Sequence, residues 1–242
     1  MVHPGTLLKA SFMASRAFFR SPAQGGAHRL AAADSAPSVM VPIRSIGPTQ
    51  TGRITAHLLA LEPRDRYLRF GYTANDEQIR RYVAGLNFER DEIFGIYNRK
   101  LELIAMAHLA FSTDPELQSC AEFGVSVLAH ARGRGYGARL FDRAAMHSRN
   151  EGVQMMFIHA LSENTAMLNI ARKAGATVER DGSETEAYLK VQPADLDSRM
   201  SELLEEQIAQ TDYRLKVQAK KFWDFLALLQ EVRRGVRGSR RA

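Results

Sequence analysis

The chain has 242 residues, 45% of them hydrophobic, with a net charge of +6 and a single cysteine, Cys120. This length holds one ordinary domain with additions or two small ones; one cysteine excludes an internal disulfide and a cysteine-cluster metal site, and it fits a reducing, cytoplasmic setting. No apolar run reaches the roughly 18 residues of a membrane span, and the positive charge is terminal, with four basic and no acidic residues in 1–33 and five basic and no acidic residues in 233–242. The remainder carries a net charge of about −3, so a nucleic-acid-binding face is not expected on the folded body.

Residues 1–40 are rich in Ala, Ser, Gly and Arg and have no acid before Asp34. In form they resemble an organelle transit segment, but they read better as a disordered or wrongly assigned leader, with Met13 and Met40 as later starts. Val41–Ile46 is predicted as a first strand. Thr51 is placed to cap a helix running to about Leu61, with Ile54, Leu58 and Leu61 on one face, and Pro63-Arg-Asp-Arg ends it. Asn75-Asp-Glu-Gln opens a second helix whose buried stripe is Ile79, Tyr82 and Val83.

Ile93–Tyr97, Leu103–Phe111 and Phe123–Leu128 read as three strands, the first pair turned through Asn98-Arg-Lys. The pattern then becomes helical over Gly137–Asn150, extended over 154–161 and helical again over 164–174. Ala176–Arg180 and Glu184–Val191 are predicted to close as a hairpin around Asp181-Gly182. From Asp195 to about Arg234 one long helix is expected, acids first and arginines last, in accord with the helix dipole. Met200, Leu204, Ile208, Thr211, Leu215, Phe222, Phe225, Leu226 and Leu229 approximate one apolar stripe, with Trp223 assigned to the same packing face. Spacing leaves open whether that stripe packs on the domain or forms a homodimer contact.

The chemistry concentrates between Phe123 and Met146. A Val-rich strand leads through Arg132-Gly-Arg-Gly-Tyr-Gly137 into a helix carrying Leu140, Phe141, Ala144 and Ala145 on one side. Alternating glycines let a backbone approach a ligand, and the amides of a helix start together with the helix dipole favour an anion there. Arg132, Arg134 and Arg139 add positive charge. A plain strand-to-helix turn with solvated arginines would use the same residues.

Arg132-x-x-Gly135-x-Gly137 after that strand resembles the acetyl-CoA signature of the GNAT acetyltransferase superfamily. The stretch Met155–Leu161 followed by Asn164-x-x-Met167-x-x-Ile170-Ala-Arg-Lys-Ala-Gly175 resembles a later element of the same family. The resemblance covers roughly residues 41–192 and is densest over 120–178. It implies a mixed α/β domain at 41–192, built on a mostly antiparallel sheet splayed at the acetyl-CoA strand and flanked by helices, with 193–242 as a helical extension and basic tail.

It also implies transfer of an acetyl group from acetyl-CoA to a primary amine, on a small molecule or a protein, with no metal, nucleic acid or membrane involved. By family position, Val125, Ser126 and Val127 would face the acetyl-pantetheine arm, with Val127 supplying a main-chain donor. Arg132, Gly133, Arg134, Gly135, Tyr136, Gly137 and Ala138 would hold the pyrophosphate. Asn164 would cap its helix and bond the pantetheine. Glu122, just ahead of the cofactor strand, is the candidate base, and its plain reading is an exposed strand-end acid. His108 and His159 can titrate near neutrality, but the sequence names no partner for either. Ala171 stands where many members carry a tyrosine that protonates the thiolate, so a non-catalytic acetyl-CoA-binding module is the alternative. Gly133-x-Gly135-x-x-Ala138 also matches a dinucleotide fingerprint in form, but the loop is mid-chain, antiparallel-looking strands precede it, and the next strand ends in His159-Ala-Leu before any acid.

Overall fold

The computed structural model describes residues 41–181 and 184–239. The expectation of a disordered or misassigned leader therefore lies outside the described residues, as does the centre of the Asp181-Gly182 turn. Seven strands form one sheet in the order β1-β2-β3-β4-β5-β7-β6. They are β1 (Arg44–Ser45), β2 (Glu92–Tyr97), β3 (Leu103–Phe111), β4 (Cys120–Val127), β5 (Met155–Leu161), β6 (Thr177–Asp181) and β7 (Glu184–Lys190). Among the described residues six α-helices accompany them: α1 (Thr51–Leu59), α2 (Pro63–Phe70), α3 (Asp76–Ala84), α4 (Tyr136–Asn150), α5 (Thr165–Lys173) and α6 (Leu196–Ser239). The expected mixed fold around a mostly antiparallel sheet is what forms.

Every neighbouring pair is antiparallel except β4 and β5, which run parallel and pair only through Cys120–Glu122 against Met155–Phe157. Past that point β4 stays with β3 up to Val127 and β5 stays with β7 up to Leu161. The sheet is thereby split on the carboxyl side of Glu122. Strand alternation sends Phe123, Val125 and Val127 to one face and Glu122, Gly124 and Ser126 to the other.

Each face has its own core. Phe94, Leu109, Phe123, Leu140, Phe141, Met156, Ile158, Leu168 and Ala171 pack beneath α4 and α5, with the Phe123 and Phe141 rings edge-on at 5.1 Å. Ile54, Leu58, Ile79, Val83, Ile93, Leu103 and Met106 pack beneath α1 and α3. Each such side chain contributes about 1.5–3 kcal/mol by leaving water.

Three local expectations are corrected. Pro63 does not simply end a helix: it opens α2, because proline's missing N–H is no loss in a first turn and its φ is already helical. Gln50, not Thr51, is the N-cap of α1, since a short 3₁₀ turn at Pro48–Gln50 precedes it. The first strand shortens to Arg44–Ser45. The Asn75 start of α3 does form, with the reciprocal Asn75 and Gln78 bonds of a capping box.

The fourth correction concerns α6. Its predicted stripe does not pack on the domain: Met200, Leu204, Leu215 and Phe222 are each more than half exposed, as is Trp223. The side chains of Phe225, Leu226 and Leu229 lie outside the described residues. The face that meets the body carries Ser198, Glu202, Glu206, Ala209, Tyr213 and Lys216. Arg143, buried on α4, lies 3.4–3.7 Å from the carboxylates of Glu202, Glu205 and Glu206, and His147 Nδ1 is 2.6 Å from Glu202. The Arg44 guanidinium stacks 3.8 Å from the Tyr213 ring centre. The early acids of α6 thus serve two cationic side chains of α4 as well as the helix dipole, which an apolar-periodicity reading of α6 alone does not reveal.

Candidate active site

The split between β4 and β5 opens into a cavity of ≈1590 Å³ that runs through the sheet. Its lining takes in Arg132, Gly133, Gly135, Tyr136, Gly137 and Ala138 of the loop together with Arg69, Tyr82, His108, Glu122 and Gly124. Residues from five separated stretches of sequence therefore share one cleft.

The glycine loop is built for close backbone approach. Gly133 and Gly135 both have φ of +74°, in the left-handed region, and no atom lies within 4 Å of where a Cβ would stand on either. Gly135 caps α4 and its carbonyl takes the Arg139 amide at 3.1 Å. The amides of residues 136–138 precede that first helical bond and have no intrahelical acceptor. Arg132 is ion-paired with Asp65 of α2, and its Nε donates to the Val127 carbonyl at 3.4 Å. Arg134 is exposed and outside the cavity lining.

The strand register explains what β4 offers the cleft. The Leu128 amide donates to the Ile104 carbonyl at 3.0 Å, so Ala105 and Val127 face each other without exchanging hydrogen bonds. Alternation along an antiparallel ladder then turns the Val125 and Val127 amides away from β3, toward the edge that β5 has left. Ser126 belongs to the other phase. Its main chain is directed to β3, and its hydroxyl lies 2.8 Å from His57 Nε2.

His57 Nδ1 donates to the Leu103 carbonyl at 2.8 Å, which leaves Nε2 as acceptor for the Ser126 hydroxyl. Burial holds this imidazole neutral, its pKa pulled down from 6.5 to about 4 despite the bond to Leu103. The unfolded chain therefore binds a proton at His57 before the folded one does. Stability is full above pH 6.5 and falls as the pH drops toward 4, by about 3 kcal/mol at most, at 1.36 kcal/mol per pKa unit. Urea melts between pH 7 and 4 should show this slope, and His57→Gln, which does not titrate, should flatten it.

On the same face, Arg69 Nη2 donates to the Tyr82 hydroxyl at 3.1 Å, which lies 2.8 Å from His108 Nδ1; His108 Nε2 lies 3.2 Å from Asp91. Burial opposes ionisation of Asp91, but the bonds from His108 and Arg90 outweigh it and hold its pKa below the usual carboxylate value. Burial raises the pKa of the Tyr82 phenol. Both ring nitrogens of His108 are thus engaged, and the partners the sequence could not name are Tyr82 and Asp91. His159 lies across the cleft on β5, with Nδ1 3.4 Å from Glu186.

Glu122 is half-buried on the cavity wall, and its Oε2 is buried without a hydrogen-bond partner. Asn164 caps α5 by accepting the Met167 amide at 3.2 Å and also lines the cleft. Ala171 is fully buried in the α4–α5 core and does not line it.

A mostly antiparallel sheet is thus split beside a strand whose free amides lead to a glycine-rich helix start, leaving an open cleft with backbone donors along one wall. The topology also removes the dinucleotide reading: β4, α4 and β5 make a parallel βαβ unit, but it stands alone in a mostly antiparallel sheet, follows three earlier strands, and its second strand ends in His159-Ala-Leu161 with no acid. Residues 57–176 match the sequence model of the Acetyltransferase (GNAT) family. The chain carries a GNAT acetyltransferase domain.

Solved structures with this fold include the GNAT domain of S. lividans PAT, with 18% identity, a TM-score of 0.53, and 61% of this chain and 89% of that one covered. An N-acetyltransferase from Staphylococcus aureus Mu50 shows 15% identity and a TM-score of 0.52, over 64% and 100% of the two chains. A ribosomal-protein-alanine N-acetyltransferase from Brucella melitensis shows 14% identity and a TM-score of 0.50, over 61% and 98%. At these identities the likeness is one of fold. No curated protein matches the chain.

Proposed function

We propose that this domain transfers the acetyl group of acetyl-CoA to a primary amine, with Glu122 as the base that takes the amine proton. The observation that carries the reading is one cleft joining the open amides of the 133–138 loop, the free edge of β4 and an unpartnered carboxylate oxygen of Glu122. Family membership makes acetyl-CoA the expected co-substrate, and the loop fits it. Two glycines with nothing where a side chain would stand, and amides ahead of the first bond of α4, suit a pyrophosphate.

When bound, acetyl-CoA supplies an activated thioester carbonyl. The loop backbone and Tyr136–Ala138 hold the anionic end, Asn164 lies beside the course of the pantetheine arm, and the Val125 and Val127 amides face the thioester. Glu122 accepts a proton from the acceptor ammonium. The amine nitrogen then attacks the carbonyl carbon, with negative charge on oxygen met by the Val127 amide. The new C–N bond forms as the C–S bond breaks, the second proton of the nitrogen leaves to water, and the thiolate takes its proton from water in the open cleft, since Ala171 offers none. The buried, unbridged thiol of Cys120 goes with a reducing, cytoplasmic setting.

Ala171 also supports a second reading, a domain that binds acetyl-CoA without turning it over. Titration calorimetry with acetyl-CoA beside a thiol-release assay over small amines, peptide lysines and peptide N-termini separates the two. Turnover with any amine supports the transferase, binding without turnover supports the second reading, and absence of binding overturns both.

A further inference from the structure

Arg69 ends α2 directly over β4. A Cβ on Gly124 would lie 2.6 Å from its guanidinium carbon, so the cation rests where that residue has no side chain. It is half-buried, stands 5.3 and 5.7 Å from the Phe70 and Tyr82 ring centres, and gives one N–H to the Tyr82 hydroxyl. The other arginines that line the cleft each have a carboxylate: Arg81 has Glu77 and Arg132 has Asp65. Among the described residues, Arg69 has none within ion-pair distance. A guanidinium on the wall of a cleft with no carboxylate in contact keeps N–H donors for an anion that arrives to meet it.

Its flanks are unequal. On the Ser126 side stands His57, kept neutral by burial; on the other, one strand repeat or about 7 Å away, stands Glu122. The cleft wall therefore shows a positive centre beside a negative one along β4, with a planar fork suited to a carboxylate or phosphate.

We infer that Arg69 receives an anionic group carried by the acceptor itself, a carboxylate or a phosphate, so that the acceptor is a small amine bearing its own anion. This rests on the transferase reading above, with the ammonium directed to Glu122 and the anion to Arg69. A protein lysine, whose amine carries no anion close by, would leave Arg69 unmet.

The test follows thiol release from acetyl-CoA by the full chain with matched acceptors: free amino acids against their carboxamides, phosphoethanolamine against ethanolamine, and a lysine peptide with both ends capped. The anionic member of a pair should show a kcat/KM about 10- to 100-fold higher, the value of a charge-assisted bidentate pair. The less basic amine of a carboxamide works against that direction, so it cannot produce the effect. The two pairs tell carboxylate from phosphate. Arg69→Gln should bring the ratio close to one with acetyl-CoA affinity unchanged, and Arg69→Lys should keep part of it. Should Arg69→Gln fail to fold, the wild-type and Arg69→Lys ratios decide. Equal or better use of the neutral members or the capped peptide overturns the inference while leaving the transferase reading standing, as does an unchanged ratio in folded Arg69→Gln. Acetyl-CoA binding with no turnover of any acceptor overturns both.

Discussion

Glu122→Gln is expected to lower acetyl transfer at neutral pH by about 10²- to 10⁴-fold while leaving acetyl-CoA affinity in place. The substitution keeps the size of the side chain and removes only its capacity to take a proton, and Glu122 lies near the start of β4, whereas the loop that would bind the co-substrate follows the end of that strand. The deficit should narrow as the pH rises, because more of the acceptor amine is then already deprotonated and needs no base. Steady-state rates between pH 6.5 and 9.5 would measure this. Wild-type rates across that range would make Glu122 a strand-end acid and move the search to ordered water or the His159 side of the cleft, since both nitrogens of His108 are engaged.

Gly135→Val should raise the acetyl-CoA dissociation constant by about 10- to 100-fold. Gly135 sits at φ +74°, where a β-branched residue is strained by about 1–3 kcal/mol, and a tenfold change in affinity corresponds to about 1.4 kcal/mol. Nothing lies within 4 Å of the new Cβ, so the penalty comes from backbone conformation and not from collision with the core. Relaxing φ turns the amides of residues 136–138 away from the anion. Calorimetric titration, with circular dichroism to confirm the fold, measures the effect; unchanged affinity in a folded variant would remove the loop from the binding site.

What the sequence made legible were features with local causes. Asn75 and Asn164 cap their helices because a side-chain oxygen meets an amide three residues on, and that spacing is visible in the letters. The glycine loop and the strand before it were readable for the same reason. The helix opened by Pro63 was not, because proline is equally suited to ending one helix and starting the next. The acceptor side was mostly illegible. Arg69, Tyr82, His108, Asp91 and Glu122 are dispersed over fifty-four positions of sequence and meet only because α2 and α3 fold over β3 and β4. Glu122 and His108 were singled out one by one but without partners, and a further signal was Tyr82, which sits on the predicted buried stripe yet brings a hydroxyl that must find a partner. For α6, apolar spacing identified the helix but not the face that meets the body, because the body offers it Arg143 and His147 in place of an apolar surface.

That outward-facing stripe has an optical consequence. Trp223 is the only tryptophan in the chain; it is 66% exposed on α6, with the Phe222 ring at 5.9 Å, and takes no part in lining the cleft. Indole fluorescence from this protein therefore comes entirely from the extension. It begins red-shifted by water, stays largely indifferent to what enters the cleft, and moves to the blue when another surface covers α6, giving a label-free signal that separates events on the helix from chemistry in the domain.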